Sequence, residues 1–264
     1  MAGPTGELAD TGVLVTRPAH QAEPLCQELE QRGATVIRFP VLAIAPPPDP
    51  EALERDIRAL PGMDWVVFVS PNAVHALLDR MRALGIPWPD GVRTATVGAG
   101  TAATLAERGL TVDCVPATGF DSEALLAEPA FGQMGGRRVM LVRGDGGREL
   151  LRETLQSRGA TVHVVTAYRR VCPDSDPTVL DAAWRDGRLD VAVVTSGEAL
   201  DNLMALAGPE RRQRLLVTGL VVIGERVAAK ASGLGFGNGI VTTGGTDATA
   251  LSDAVARWVN ENRR

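Results

Sequence analysis

The pentapeptide Arg-Gly-Ala-Thr-Val occurs twice in this 264-residue chain, at positions 32–36 and again at 158–162. The interval, 158 − 32 = 126, holds without a gap through much of the sequence. Between residues 13–36 and 139–162 ten positions match: Val13, Arg17, Glu23, Leu25, Leu29 and the repeated five. Further along, Asp64, Val67, Ser70, Ala73 and Leu77 return as Asp190, Val193, Ser196, Ala199 and Leu203. Gly98 and Gly109 match Gly224 and Gly235, and Asp121 and Leu125 match Asp247 and Leu251. Identities in order at one fixed spacing imply an internal duplication, so both halves are expected to share one architecture. The length then suits two modest domains.

Within a copy, apolar runs alternate with amphipathic stretches. Residues 13–16 and 35–39 read as strands around a helix whose apolar face is Ala22, Leu25, Cys26 and Leu29, stopped by Gly33. A helix is expected over 51–60 behind Asp49-Pro50, and another from Ser70-Pro71-Asn72 to Arg82. The wholly apolar 65–69 reads as a strand covered on both faces, with further strands at 94–97 and 111–115. A helix over 98–108 ends at Gly109, and Asp121-Ser122 starts one more. This alternation predicts an α/β fold with parallel sheets. Two proline-bearing segments, 40–50 and 166–177, follow the first strand–helix–strand of each copy. Two arrangements fit: contiguous domains split near residue 135, towards which pattern alone leans, or domains that exchange elements across two crossings.

A net charge of −5 argues against non-specific nucleic-acid binding, which needs a basic surface. Cys26, Cys114 and Cys172 are odd in number and far apart, with neither metal-ligand spacing nor a disulfide framework. No apolar run has the length of a membrane span and no signal-peptide pattern opens the sequence, so a soluble cytoplasmic protein is expected.

The polar residues gather where strands give way to helices: Arg17-Pro18, Ser70-Pro71-Asn72, 98–101 (GAGT), 143–147 (RGDGG), Thr195-Ser196-Gly197 and Gly224-Glu225-Arg226. In an open parallel sheet ligands bind beyond the carboxyl ends of the strands, and helix N-termini offer backbone N–H groups to anions. At any single junction a cap or turn residue explains the sequence equally well; six junctions in duplicate argue for anion binding. The run 98–103 approaches a G-x-G-x-x-A dinucleotide fingerprint. Its acidic partner stands too close and its duplicate lacks the second glycine, so it reads as an anion-binding turn. Tyr168, the single tyrosine, stands beside Arg169 and Arg170 and offers a phenol as a proton donor. The three histidines do not cluster, and no metal-binding or nucleophile constellation is visible, so an enzyme of this sequence is expected to work without a metal or covalent nucleophile.

LVTRP at 14–18, FVSPNAV at 68–74, VGAGTAATL at 97–105, LVRGDGGRELL at 141–151 and GATVHVVTAYRRV at 159–171, taken in this order, resemble the uroporphyrinogen-III synthase family. The resemblance covers 13 to about 255. It implies two flavodoxin-like, doubly wound parallel-sheet domains joined by a two-stranded linker, with the active site in the cleft between them. One domain would comprise 1–35 with 174–264, the other 47–165, and 36–46 with 166–173 would be the linker strands. The implied activity is cofactor-independent cyclisation of the anionic linear tetrapyrrole hydroxymethylbilane to uroporphyrinogen III. In it the ring A hydroxymethyl group loses water, the substituted carbon of ring D attacks to form a spiro intermediate, and ring D ends inverted. Tyr168 would protonate or orient the departing hydroxyl. Arg17, Ser70, Asn72, Gly98, Thr101, Arg143, Gly144, Arg148, Ser196, Gly197 and Gly224 would bind substrate. Many members of the family carry threonine where this chain has Val227, the partner of Thr101. A monomer is expected, with neither nucleic acid nor membrane as partner. Contact with hydroxymethylbilane synthase, the source of the substrate, is left open, as is a receptor-like role for two hinged lobes.

Overall fold

The computed structural model describes residues 6–119, 121–147 and 149–262. Its elements begin with β1 (Gly12–Val15), α1 (Ala19–Gln31), β2 (Thr35–Arg38), β3 (Ala43–Ala45), α2 (Pro50–Arg58) and β4 (Trp65–Phe68). There follow α3 (Pro71–Ala83), β5 (Arg93–Thr96), α4 (Ala99–Glu107), α5 (Ser122–Ala127), β6 (Arg138–Gly144), α6 (Leu150–Ser157) and β7 (Thr161–Val171). The chain closes with α7 (Thr178–Arg185), β8 (Val191–Val194), α8 (Gly197–Leu216), β9 (Gly219–Ile223), α9 (Gly224–Leu234), β10 (Ile240–Thr243) and α10 (Ala248–Asn262).

They divide into two units, residues 1–43 with 171–264, and residues 44–170. In the first, a five-stranded sheet runs β10-β9-β8-β1-β2, all neighbours parallel. In the second, the order is β3-β7-β6-β4-β5, with β7, β6, β4 and β5 mutually parallel. Strands covered on both faces need apolar residues at every position. β1, β4 and β8 comply, being buried throughout. In β1 Leu14 faces one core with Leu203 and Leu220, while Val13 and Val15 face another with Leu25, Leu29 and Leu251.

The helices begin as their side chains dictate. Asp49, Ser70, Asp121 and Ser196 each accept the backbone N–H three residues on, capping α2, α3, α5 and α8. α1 buries Ala22, Leu25, Cys26 and Leu29, and Gly33 takes a positive φ of 93° immediately after it.

Contiguous domains are overturned: β1 and β2 share their sheet with β8, β9 and β10, not with β4 and β5. Of the segments expected as linker strands, 43–45 form β3 beside β7, while other parts lie within the sheets. Residues 36–38 pair with 13–15 as part of β2, and Thr166 and Tyr168 pair with Arg143 and Gly144 inside the second sheet. The strand expected at 111–115 shrinks to one bridge between Cys114 and Ala95. There the Asp113 carboxylate takes the Thr94 N–H at 2.7 Å and the Thr94 hydroxyl donates to the Thr111 carbonyl, so side chains occupy groups a ladder would use. α8 breaks at Gly208, whose φ and ψ of 72° and 172° are non-helical, because Pro209 lacks an N–H and excludes helical geometry before it.

Positions 126 apart do the same work in the two units. Val13 lies opposite Val36 and Val191, and Val139 lies opposite Val162 and Trp65. Asp190 accepts the Gly12 N–H at 2.7 Å, and Asp64 accepts the Arg138 N–H at 2.8 Å.

Candidate functional site

In the second unit the carboxyl ends of β4, β6 and β7 meet around Tyr168. β7 has a bulge there: Arg143 lies opposite Thr166 but Gly144 lies opposite Tyr168, leaving Ala167 as the extra residue. The bulge breaks the in–out alternation, so that Ala167 and Tyr168 are both buried although adjacent. Tyr168 is only 7% exposed. Its hydroxyl lies 3.0 Å from Ser70 Oγ, the oxygen that also accepts the Ala73 N–H at 3.2 Å to cap α3. The ring rests against Gly144, where a Cβ would come within 2.7 Å of its Cε2 and Cζ atoms. The Tyr168 carbonyl accepts the Asp145 N–H at 2.9 Å, and the Asp145 carboxylate accepts the Arg170 N–H at 3.0 Å.

Tyr168 stands in the walls of two cavities. The more polar one, about 240 Å³, has Ser70, Ser122, Arg143, Gly144, Asp145, Gly146 and Arg170 in its walls beside apolar surface from Val69, Leu141 and Leu151. The other, about 430 Å³, is mainly apolar and lies among Ile44, Pro47, Leu53, Ala76 and Ala83. Arg143 donates to the Glu149 carboxylate at 2.7 Å, and that hydrogen bond holds the Glu149 carboxyl below its ordinary range. The polar cavity therefore presents two arginines, the Asp145 carboxylate, glycine backbone and two hydroxyls next to a buried phenol. Such a surface can hold a carboxylate and offer it or its neighbour a proton.

Of the residues singled out from sequence, Ser70, Arg143, Gly144 and Tyr168 line this one cavity. Asn72 in the first turn of α3, Gly98 as the cap residue of α4 and Thr101 in its first turn occupy neighbouring junctions of the same sheet outside that wall. Arg148 lies outside the described residues. Arg17, Ser196, Gly197 and Gly224 belong to the first unit, at the carboxyl ends of β1, β8 and β9. Arg17 donates to the Thr246 carbonyl at 3.2 Å, and burial lowers its pKa from the usual guanidinium value. Ser196 caps α8, the Gly197 carbonyl accepts from Lys230 at 3.0 Å, and Gly224 turns the chain from β9 into α9 with φ 72°. Val227 is buried in the first unit's core, as Thr101 is buried in the second.

Gly146 lies in a junction singled out from the sequence and Arg170 beside Tyr168, whereas Ser122 as a cavity residue and the apolar hollow beside Tyr168 did not emerge from the sequence. The signal for the hollow was the proline-rich run at 46–50, which reads there only as a crossing. Among the described residues no group of three His, Cys, Asp or Glu is placed to hold a metal ion. No helix among them is long and apolar enough to cross a membrane.

Comparison with known proteins gives these residues a context. The family model described as "Uroporphyrinogen-III synthase HemD" matches residues 23–248. The uroporphyrinogen-III synthase of Synechococcus elongatus is 36% identical over 197 residues, 74% of this chain and 74% of that protein. The Salmonella typhimurium synthase is 32% identical over 234 residues, 85% of this chain and 92% of its own. Among solved structures, a mutant uroporphyrinogen III synthase from Thermus thermophilus superposes with a TM-score of 0.59 at 24% identity, covering 95% of this chain and 99% of the other. The Helicobacter pylori enzyme gives 0.56 at 15% identity, with 88% and 92% covered. At these identities the two structures speak for the fold, while the family match runs through both units and spans Tyr168 and its neighbours. The chain belongs to the uroporphyrinogen-III synthase family.

Proposed function

We propose that this protein is a uroporphyrinogen-III synthase that cyclises hydroxymethylbilane to uroporphyrinogen III, with Tyr168 as its proton donor. The observation that carries the role of Tyr168 is a phenol nearly closed off from water in a wall shared with Arg143 and the glycine backbone. Its proton would leave with the ring A hydroxyl as water when the C–O bond breaks. The electrophile so formed is attacked by the substituted carbon of ring D. The resulting spiro intermediate breaks the bond between ring D and its bridge to ring C and recloses at the free carbon of ring D, leaving that ring inverted. The proton released as ring D rearomatises restores the phenol. At about 240 Å³ the polar cavity is smaller than a typical ligand pocket. It would thus take one end of the tetrapyrrole, Arg143 and the backbone N–H groups engaging carboxylates there. Arg17, Ser196, Gly197, Gly224, Asn72, Gly98, Thr101 and Arg148 are proposed to engage other carboxylates. Helix N-termini explain how a protein of net charge −5 can bind a polyanion. The substrate also closes spontaneously to the wrong isomer, so holding one fold of the chain supplies more of the selectivity than a single acid.

We further infer an ancestral duplication whose products exchanged their first two strands, giving two flavodoxin-like units. Support comes from the fixed 126-residue register and from the matched carboxylates of Asp64 and Asp190, each reaching into the other copy. Residues 39–46 and the end of β7 are the proposed connections. A cytoplasmic monomer, in passing contact with the synthase that makes its substrate, completes the reading.

The test is a coupled assay in which a hydroxymethylbilane-generating enzyme runs with and without this protein, and the oxidised uroporphyrin isomers are separated. A shift from isomer I to isomer III without added cofactor is expected. Isomer I alone from folded protein would overturn the assignment.

A further inference from the structure

The Ser70 hydroxyl has more to do than cap a helix. It accepts the Ala73 N–H at 3.2 Å and sits 3.0 Å from the Tyr168 oxygen. A hydroxyl has one proton and two lone pairs, and an oxygen that already accepts an N–H becomes a stronger donor of its own proton. The N-terminal end of the 13-residue helix α3, positive by its aligned peptides, reinforces that polarity. With Ser70 donating, the Tyr168 oxygen is the acceptor and its own proton is free for another partner. Gly144 fixes where this happens, because any side chain would occupy the space of the Tyr168 ring.

We propose that Ser70 and Gly144 are positioning residues for Tyr168: Ser70 donates to the Tyr168 oxygen and thereby turns the phenol proton towards the polar cavity, while Gly144 provides the seat of the ring. This rests on the synthase reading and moves both residues from substrate contact to a role exerted through Tyr168.

The experiment combines a double-mutant cycle with a spectroscopic reading of the free protein. Ser70→Ala is expected to lower kcat about tenfold, as one lost hydrogen bond does, with KM little changed. In a Tyr168→Phe background the same substitution should cost nothing further, and Ser70→Thr should restore most of the rate. Because Tyr168 is the single tyrosine, protein labelled with [13Cζ]tyrosine gives one such resonance. That resonance should move in Ser70→Ala and in Gly144→Ala, and stay near its original position in Ser70→Thr. An equal loss of activity in both backgrounds, a change confined to KM, or an unmoved resonance in Ser70→Ala would overturn the proposal. If the wild type makes only isomer I, the synthase reading fails by itself, and the resonance still decides whether Ser70 and Gly144 place the phenol.

Discussion

Replacing Tyr168 by phenylalanine keeps the ring against Gly144 and removes the hydroxyl, with its proton and its contact to Ser70. The expected loss is about a hundredfold in kcat, at the lower end for a positioned general acid. Activity should remain measurable, because the orientation of rings A and D survives; total inactivity of folded protein would contradict the weight given to positioning. The Arg143–Glu149 pair makes a pH prediction. The folded Glu149 carboxyl is held below its ordinary value, so its contribution is full above the unfolded carboxylate range and disappears as pH falls through the folded value. Melting temperatures measured from neutral to acid pH should fall less steeply for Glu149→Gln than for the wild type, and only modestly so since the side chain is 38% exposed. Tyr168 could be singled out from the sequence because the chain contains no other tyrosine. Its union with Ser70, 98 positions away, could not. That contact depends on the register of β6 against β7 and on a one-residue bulge, which no pattern of residue types displays.

Among the elements, α10 packs against β10 and β9 through a site that admits no side chain. A Cβ on Gly219 would fall within 2.1 Å of the Trp258 indole. Gly219→Ala should therefore destabilise the first unit by about 1–3 kcal/mol through overpacking, visible in chemical denaturation. Asp64 and Asp190 each tie one strand of their own unit to the start of a neighbouring one. Replacing either by alanine is expected to cost a similar amount, about 1.5–3 kcal/mol for a hydrogen bond to a charged group. A large difference between them would show that equivalent positions no longer carry equivalent strain. Helix starts are legible at Asp49, Ser70, Asp121 and Ser196 since a cap is a local device. The fate of 111–115 is not, because Thr94 and Asp113 compete for its backbone through contacts the sequence places 19 residues apart. The break at Gly208-Pro209 is spelled out locally and is easily lost within a long helical pattern.

At the scale of the molecule, the matches at a 126-residue spacing announce two similar sets of elements but not which strands share a sheet, since strand pairing is settled by contacts far apart in the sequence. The recruitment has a consequence for the newborn chain. β1, wholly apolar, is synthesised early and pairs with β2, yet its other neighbour β8 begins 191 − 15 = 176 residues after β1 ends. At ribosomal speed that is a wait of roughly 9–35 s. Residues 44–170 have all their sheet partners before β8 exists and can close first. Ribosome-bound chains stalled short of β8 should resist limited proteolysis over 44–170 while 1–43 are cut, and protection of 1–43 should follow only once β8 has emerged. A segment whose second edge must wait so long for its partner, with Val13, Leu14 and Val15 uncovered, is where a chaperone would be expected to bind during translation, and where slowed elongation would most readily divert the protein into aggregates.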